Sequence, residues 1–381
     1  MTPAAALASL LGTRFDRGFV LVDRDTGTVT VGLDDRGGSI TGTGAVRVLP
    51  FDPADPRDSG PWAPPPPLVP RWVATVSGTD ATPRWSGGTH PPALPGGALP
   101  SLPGPVRLEL PSPARVRDGV REALGAVRDG EVEKLVPSFG ARVVFPAPPP
   151  PGILAARLLA GPAGRPDGLT RFAILAGERL LLGATPERLF RLAPGGLLET
   201  EALAGTAPAG DGDRLLASPK DREEHELVVR GIRRALAPLV ARLDGPPVPL
   251  VRRLPGLVHL CTPLVGRVRP GVTTGDVLAA LHPTPAVAGA PREPSLAWLR
   301  AHEPARGTFA APLLVERPDG TVEAHVVLRA AVLDGNVLHL RAGAGIVATS
   351  DPACEAEEIL AKLRATVRGL GLGVPVEAST P

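Results

Sequence analysis

Residues 171–205 read "RFAILAGERLLLGATPERLFRLAPGGLLETEALAG". Apolar runs of strand length alternate with Gly- and Pro-containing breaks, the pattern of successive antiparallel strands. On the N-terminal side, "SPARVRDGVREALGAVRDG" (112–130) predicts a helix that starts at Ser112-Pro113, with Val116, Val120, Leu124 and Val127 on one face. "EVEKLVPSFGARVVF" (131–145) reads as one strand. On the C-terminal side come a long helix over "SPKDREEHELVVRGIRRALAPLVARL" (218–243), a strand at 257–268 and a short helix at 274–283. A hairpin-like stretch at 311–347 then closes onto a final helix. Strands grouped between helices, with many hairpins, indicate an α+β fold rather than a parallel sheet.

The first hundred residues hold short alternating strands at 19–23, 28–34, 45–52 and 72–78, broken by proline and glycine. "PWAPPPPLVP" (61–70) and "PPALPGGALPSLPGP" (91–105) read as stiff surface loops. No solenoid-type repeat period is visible. The length allows one large domain or two; a single domain over 1–381, with a core at 110–370 and residues 1–109 as a variable part of the same fold, is what the family resemblance given below implies.

Composition narrows the function. With 43% hydrophobic and 21% charged residues, the chain has ordinary globular content and enough apolar side chains for a sizeable core. A net charge of +2, no basic stripe and no tyrosine argue against nucleic acid as a partner. Two cysteines, Cys261 and Cys354, are too few for a disulfide framework or a zinc site. No apolar run approaches a membrane span, so a cytoplasmic protein without a membrane partner is expected.

Two helix starts are unusually acidic. In "SDPACEAEEILAKL" (350–363), Asp351-Pro352 forms an N-cap with proline at the first helical position. Glu355 leads in four-residue steps to Ile359, Leu363 and Val367, so a carboxylate heads the stripe that should be buried. In "KDREEHELVV" (220–229), Asp221 and Glu224 are three apart, and Glu224 leads to Val228, Ile232, Ala235 and Leu239. Either both are solvated starts that complement the helix dipole, or they converge and require a cation. Oxygen ligands without cysteine or histidine would favour magnesium.

Eight blocks in this order carry a resemblance: "LLLGATPERLF", "EALAGTAP", "LLASPKDREEHELV", "HLCTPLVG", "LHPTPAVAGAPRE", "VLRAA", "LRAGAGIVATSDP" and "EAEEILAKL". Together they resemble the chorismate-utilising enzymes, which include isochorismate synthases, salicylate synthases and the large subunits of anthranilate and aminodeoxychorismate synthases. The resemblance implies two large, orthogonally packed antiparallel sheets flanked by helices, and a site that needs Mg2+. It implies Glu224 and Glu358 as metal ligands, with Asp221 and Glu355 behind them, and Glu357 facing outward. Arg329 and Lys362 match a clamp for a substrate carboxylate, a role suited to arginine's planar fork. Gly205, Thr206, His259, Gly343 and Gly345 match substrate-site positions. His259 alone could equally be structural, and the glycines would let backbone N–H groups approach the ligand.

By the same resemblance Lys134 matches the base that activates water for attack at ring C2, and Glu187 the acid that protonates the departing C4 hydroxyl. Both need inverted protonation, which burial favours. Read alone, Lys134 could be a surface lysine and Glu187 a turn residue bridged to Arg188.

Local text selects the subtype. Anthranilate synthases carry "ARND" and "GAPK" where this chain has "ELVVRGIRR" and "GAPRE", and ammonia-using members lack the lysine at 134 and bind a glutaminase subunit. Aminodeoxychorismate synthases place a nucleophilic lysine at the position of Ala204, and salicylate synthases show "TASG" at Ala286–Gly289. "HPTPAV" has the isochorismate-synthase form. The expectation is a monomeric isochorismate synthase acting on chorismate without a glutaminase, for menaquinone, siderophore or related biosynthesis. A salicylate synthase or a non-catalytic chorismate-binding paralogue is the alternative. Departures from the family text fall at Pro137-Ser138, Phe309, Arg341 and Ile359.

Overall fold

The structure is a computed structural model and describes residues 3–11, 15–34, 45–57, 59–70, 72–77, 83–87, 101–102, 104, 107–158 and 167–372. The stretch at 171–205 forms strands Thr170–Ala176, Arg179–Thr185, Arg188–Leu192 and the start of Leu197–Pro208. The first two pair with each other, Ala173 opposite Leu182, while the last two belong to a different sheet. The chain therefore changes sheets at Pro186-Glu187. It changes back between Val322–Val326 and Ala330–Asp334, through Val327, Leu328 and Arg329. The two crossings lie side by side: Val326 N donates to Glu187 O at 3.0 Å, and Ala184 N donates to Arg329 O at 3.2 Å.

Among the described residues, one large sheet has ten strands and a second has eight, and every ladder in them is antiparallel. The α+β reading thus stands, with two large sheets. Strands of the first hundred residues extend both: Arg17–Val22 pairs with Thr170–Ala176, and Val46–Val48 edges the eight-stranded sheet beside Pro312–Glu316. "PWAPPPPLVP" runs over the surface, pinned by buried Trp62 and Leu68. Most of the second proline-rich stretch lies outside the described residues.

Helix Pro113–Arg128 starts where expected, with Ser112 Oγ accepting from Arg115 N, and buries Val116, Val120, Leu124 and Val127. It packs on the final helix, Pro352–Gly369, whose Ile359, Leu363 and Val367 are buried. Each such side chain removes apolar surface from water, so truncating Leu363 to alanine costs about 2–5 kcal/mol. Asp351 Oδ1 caps this helix by accepting from Ala353 N and Cys354 N.

Two readings are corrected. Residues 131–145 are not one strand. Lys134–Leu135 pairs with Gly289–Ala290 in a separate two-stranded sheet, whereas Ser138–Val144 joins the ten-stranded sheet. Pro137, which cannot donate to a ladder, sits at the break. The helix expected to Leu243 ends at Leu236, because Pro238 cannot continue it, and Val240–Asp244 is a strand on the edge of Leu257–Val268. Leu239 therefore lies beyond the helix, and Leu236 completes its stripe. Helix Arg292–His302 and strand Leu250–Leu254 were not foreseen; both are short and rich in arginine, which weakens their apolar pattern. Among the described residues no helix is long and apolar enough to cross a membrane.

Candidate active site

The two crossings open onto a cavity that gathers most of the expected residues. Glu187, Gly205, Thr206, Glu224, His259, Arg329, Gly343, Gly345, Glu358 and Lys362 all line it. Lys134, Asp221 and Glu355 lie outside its lining.

At the crossings, charge is sparse and poorly partnered. Glu187 is buried, and among the described residues its carboxyl has no ion-pair partner. Burial, then repulsion from Glu201, pushes it up to about 8, against the pull of Lys134 and Lys362. Arg329 is held at φ +47°, a left-handed conformation rare outside glycine. Its Nη2 donates to His259 Nε2 at 2.7 Å. A guanidinium can only donate, so that ring nitrogen must accept and the proton sits on Nδ1, beside Thr206 Oγ1 at 3.0 Å and Gly205 O at 3.3 Å. Burial, then Arg329 and Lys362, hold His259 far below the ordinary histidine range, so it is neutral. Arg329 is lowered by burial only to about 10 and stays charged, and among the described residues no carboxylate pairs with it. A β-bulge between Ala204 and Thr206 sets this corner. Gly205 takes φ +78° there, and a Cβ on it would press on Asp221.

The helix starts are the reverse, dense with charge. Both expected stripe-heading acids are buried, Glu224 at 7% exposure and Glu355 at 3%, while Glu357 faces out. The acids do not surround a common empty point: among the described residues no group of three metal-type side chains is placed to hold an ion. They surround Lys220 instead, whose Nζ is 2.9 Å from Glu355 Oε1, 3.4 Å from Glu224 Oε2 and 3.8 Å from Asp221 Oδ1. Burial alone would lower Lys220, but Glu224, Glu355 and Glu358 outweigh it and keep the ammonium charged. Lys362 Nζ is taken by Glu358 at 2.7 Å and by Gly343 O at 3.0 Å.

The donor set still fits a divalent cation. Burial, then nearby acids, raise Asp221 and Glu355, and Glu355 Oε2 is buried without a hydrogen-bond partner although Oε1 accepts from Ser350 Oγ at 2.8 Å. All donors are oxygens, as magnesium prefers.

Lys134 is completely buried behind this wall. Its Nζ lies 3.0 Å from Glu224 Oε1, without a well-aligned hydrogen bond. Burial lowers its proton affinity and Glu224 opposes that; the net direction is down. The same pairing, with Lys220, holds Glu224 at about 2 despite burial. Gly345 makes the pairing possible, since a Cβ there would fall 2.1 Å from Glu224 Oε1 and 2.7 Å from Lys134 Cε. Gly343 lets the chain pass Pro137 O, which a Cβ would meet at 2.5 Å. In this structure both glycines serve close packing of protein groups.

Three of the departures share one wall. Ser138, Phe309 and Arg341 line the cavity, as does Arg306. Glu303 binds Arg341 at 2.8 Å, Arg306 and Ser138 Oγ, and the Arg341 guanidinium lies 5.5 Å from the Phe309 ring. Ile359 is elsewhere, in the core. Sequence reading also missed Arg24, whose Nη1 donates to Pro186 O and to Glu201, bracing the first crossing from the N-terminal strands. Nothing local marks it. Lys220 was overlooked too, although lysine is scarce enough here to have signalled it.

A sequence model for a family described as chorismate binding enzymes matches residues 101–371. The salicylate biosynthesis isochorismate synthase of Pseudomonas aeruginosa is 44% identical over 203 residues, 51% of this chain and 42% of that protein. The isochorismate synthase EntC of Escherichia coli is 33% identical over 262 residues, 66% of each chain. The match thus spans less than two thirds of either relative. The solved structure of MenF, the menaquinone-specific isochorismate synthase from Escherichia coli, superposes with a TM-score of 0.76 at 25% identity, covering 97% of this chain and 91% of that one. Anthranilate synthase component I from Streptococcus pneumoniae shares the fold at a TM-score of 0.67 and 18% identity.

Proposed function

The chain belongs to the chorismate binding enzyme family, and from that premise we propose that it is an isochorismate synthase, an isomerase acting on chorismate. The carrying observation is Glu187, a buried carboxyl still protonated at neutral pH, in the same cavity as a guanidinium that lacks a carboxylate. That pairing suits a reaction that must expel a hydroxide equivalent from an anionic substrate.

Water adds at ring C2 as the ring double bonds shift, and the C4–O bond breaks. Lys134, held toward the neutral amine by burial, takes the proton of the attacking water. Glu187 gives its proton to the leaving oxygen, so one water enters and one leaves. Arg329 receives a substrate carboxylate through two parallel N–H bonds, with neutral His259 fixing its plane. Glu224 and Glu358, with Asp221 and Glu355 behind them, would hold magnesium, which would supply positive charge for a second carboxylate.

Ala286 lines the cavity where salicylate synthases carry a threonine. Without that hydroxyl, the folded side-chain geometry needed to eliminate pyruvate is poorly supported. The enzyme would work as a monomer in the cytoplasm, without a glutaminase. Purified protein given chorismate and Mg2+ should form isochorismate, resolved by chromatography, and ammonium salts should give no aminated product. Binding of chorismate without conversion would instead identify a non-catalytic paralogue.

A further inference from the structure

The chain has 41 basic residues, yet reading along it finds only three lysines: Lys134, Lys220 and Lys362. Where arginine serves almost everywhere else, lysine remains at positions that need a compact ammonium. All three meet the same group of acids: Lys134 and Lys220 contact Glu224, and Lys362 contacts Glu358. Lys134 is the base of the proposed reaction, and Lys362 matches a clamp for a substrate carboxylate. Lys220 has neither role.

Its place in the fold is also unfavourable for a helix. Ser218 is the N-cap of Pro219–Leu236, so Lys220 is the second helical residue, where the dipole disfavours a cation. The acids around it outweigh that cost. Lys220 bridges the two helix starts, from Glu224 on its own helix to Glu355 on the final one. These acids belong to the set that would hold magnesium. An ammonium and a divalent cation cannot both occupy that space, since like charges a few ångströms apart inside a protein repel strongly.

We propose that Lys220 is an exchangeable counter-ion: its ammonium neutralises Glu224 and Glu355 in the metal-free protein and withdraws to solvent when a divalent cation binds them. This rests on the magnesium-dependent reading above. The side chain is 23% exposed and so borders solvent. A flexible four-carbon stem with a point charge suits the exchange, whereas an arginine fork would lock onto the carboxylates bidentately. The device spares the empty site bare buried carboxylates. By linkage it also weakens metal binding as much as metal weakens the ion pairs.

The test is a Mn2+ titration followed by electron paramagnetic resonance, on wild type and on Lys220→Met, with folding checked by circular dichroism. The variant should bind Mn2+ roughly tenfold more tightly, and its metal-free form should melt at a lower temperature than wild type, with Mn2+ closing the gap. Should the variant not fold without metal, wild type decides the matter. Acylation of lysines by an amine-reactive reagent, read by mass spectrometry, should label Lys220 faster when Mg2+ is added, while buried Lys134 stays unlabelled. Wild type that binds Mn2+ beside a folded variant that binds no more tightly, or Lys220 labelling indifferent to Mg2+, overturns the exchange and leaves the magnesium reading standing. No Mn2+ binding by either protein overturns both.

Discussion

The two halves of the cavity solve opposite electrostatic problems. Where the chain crosses between sheets, Glu187, Arg329 and His259 are isolated: one protonated carboxyl, one guanidinium without a carboxylate, one neutral imidazole. Where the helices start, Glu224, Glu355 and Glu358 each have a lysine within 3.0 Å, and Lys220 and Lys362 offset much of the acids' charge. The crossings present groups whose partners must come from a ligand. Under the proposed exchange, the helix starts hold a partner, Lys220, that leaves before a cation enters. In the proposed reaction the acid and carboxylate capture belong to the first half, and the base Lys134 and the proposed ion site to the second.

The sharpest way to break this contrast is to remove the proton chemistry. Glu187→Gln and Lys134→Ala should each lower turnover by roughly 10²–10⁴-fold while chorismate still binds, checked by steady-state kinetics and equilibrium titration. Wild-type turnover by Lys134→Ala would mean that water is activated elsewhere. Next in size is Arg329→Lys, which keeps the charge but loses the planar fork. It should reduce kcat/KM by roughly 30-fold or more, mainly through KM.

The pH dependence sharpens the comparison further. The rate should fall as pH rises through about 8, where Glu187 loses its proton, and fall at low pH as Lys134 gains one. Stability follows the same group. Between its ordinary 4.5 and about 8 the folded carboxyl keeps a proton that the unfolded chain has released. Wild type therefore loses stability as pH rises across that window, and Glu187→Gln should lose less, measured as Tm against pH. The smallest effect belongs to exposed Glu357. Glu357→Gln should change stability by no more than about 0.5 kcal/mol and leave turnover intact, whereas Glu358→Gln, one residue on, should lose activity while staying folded.

How much of this was legible depended on range. Helical periodicity exposed Glu224 and Glu355 as acids on buried stripes, because a four-residue step is a local property. Apolar runs broken by glycine and proline showed a succession of strands around Pro186-Glu187 for the same reason. It could not show that they divide between two sheets, which depends on pairing with strands over a hundred residues away. The break at Pro137 and the short helix at Arg292–His302 were lost to weak or interrupted patterns. Arg24 was invisible because its partners, Pro186 and Glu201, lie far along the chain. Lys220 was not singled out, because its partner Glu355 sits on a helix start far along the chain.

The central claim is that water enters at C2 and the C4 hydroxyl leaves. The most direct test is turnover of chorismate with Mg2+ in water enriched in heavy oxygen, stopped early, with products separated and weighed by mass spectrometry and pyruvate followed enzymatically. The account predicts isochorismate carrying one heavy oxygen on C2, with no more than trace pyruvate. Isochorismate without the label, or stoichiometric pyruvate with salicylate absent from an enzyme-free isochorismate control, would contradict it.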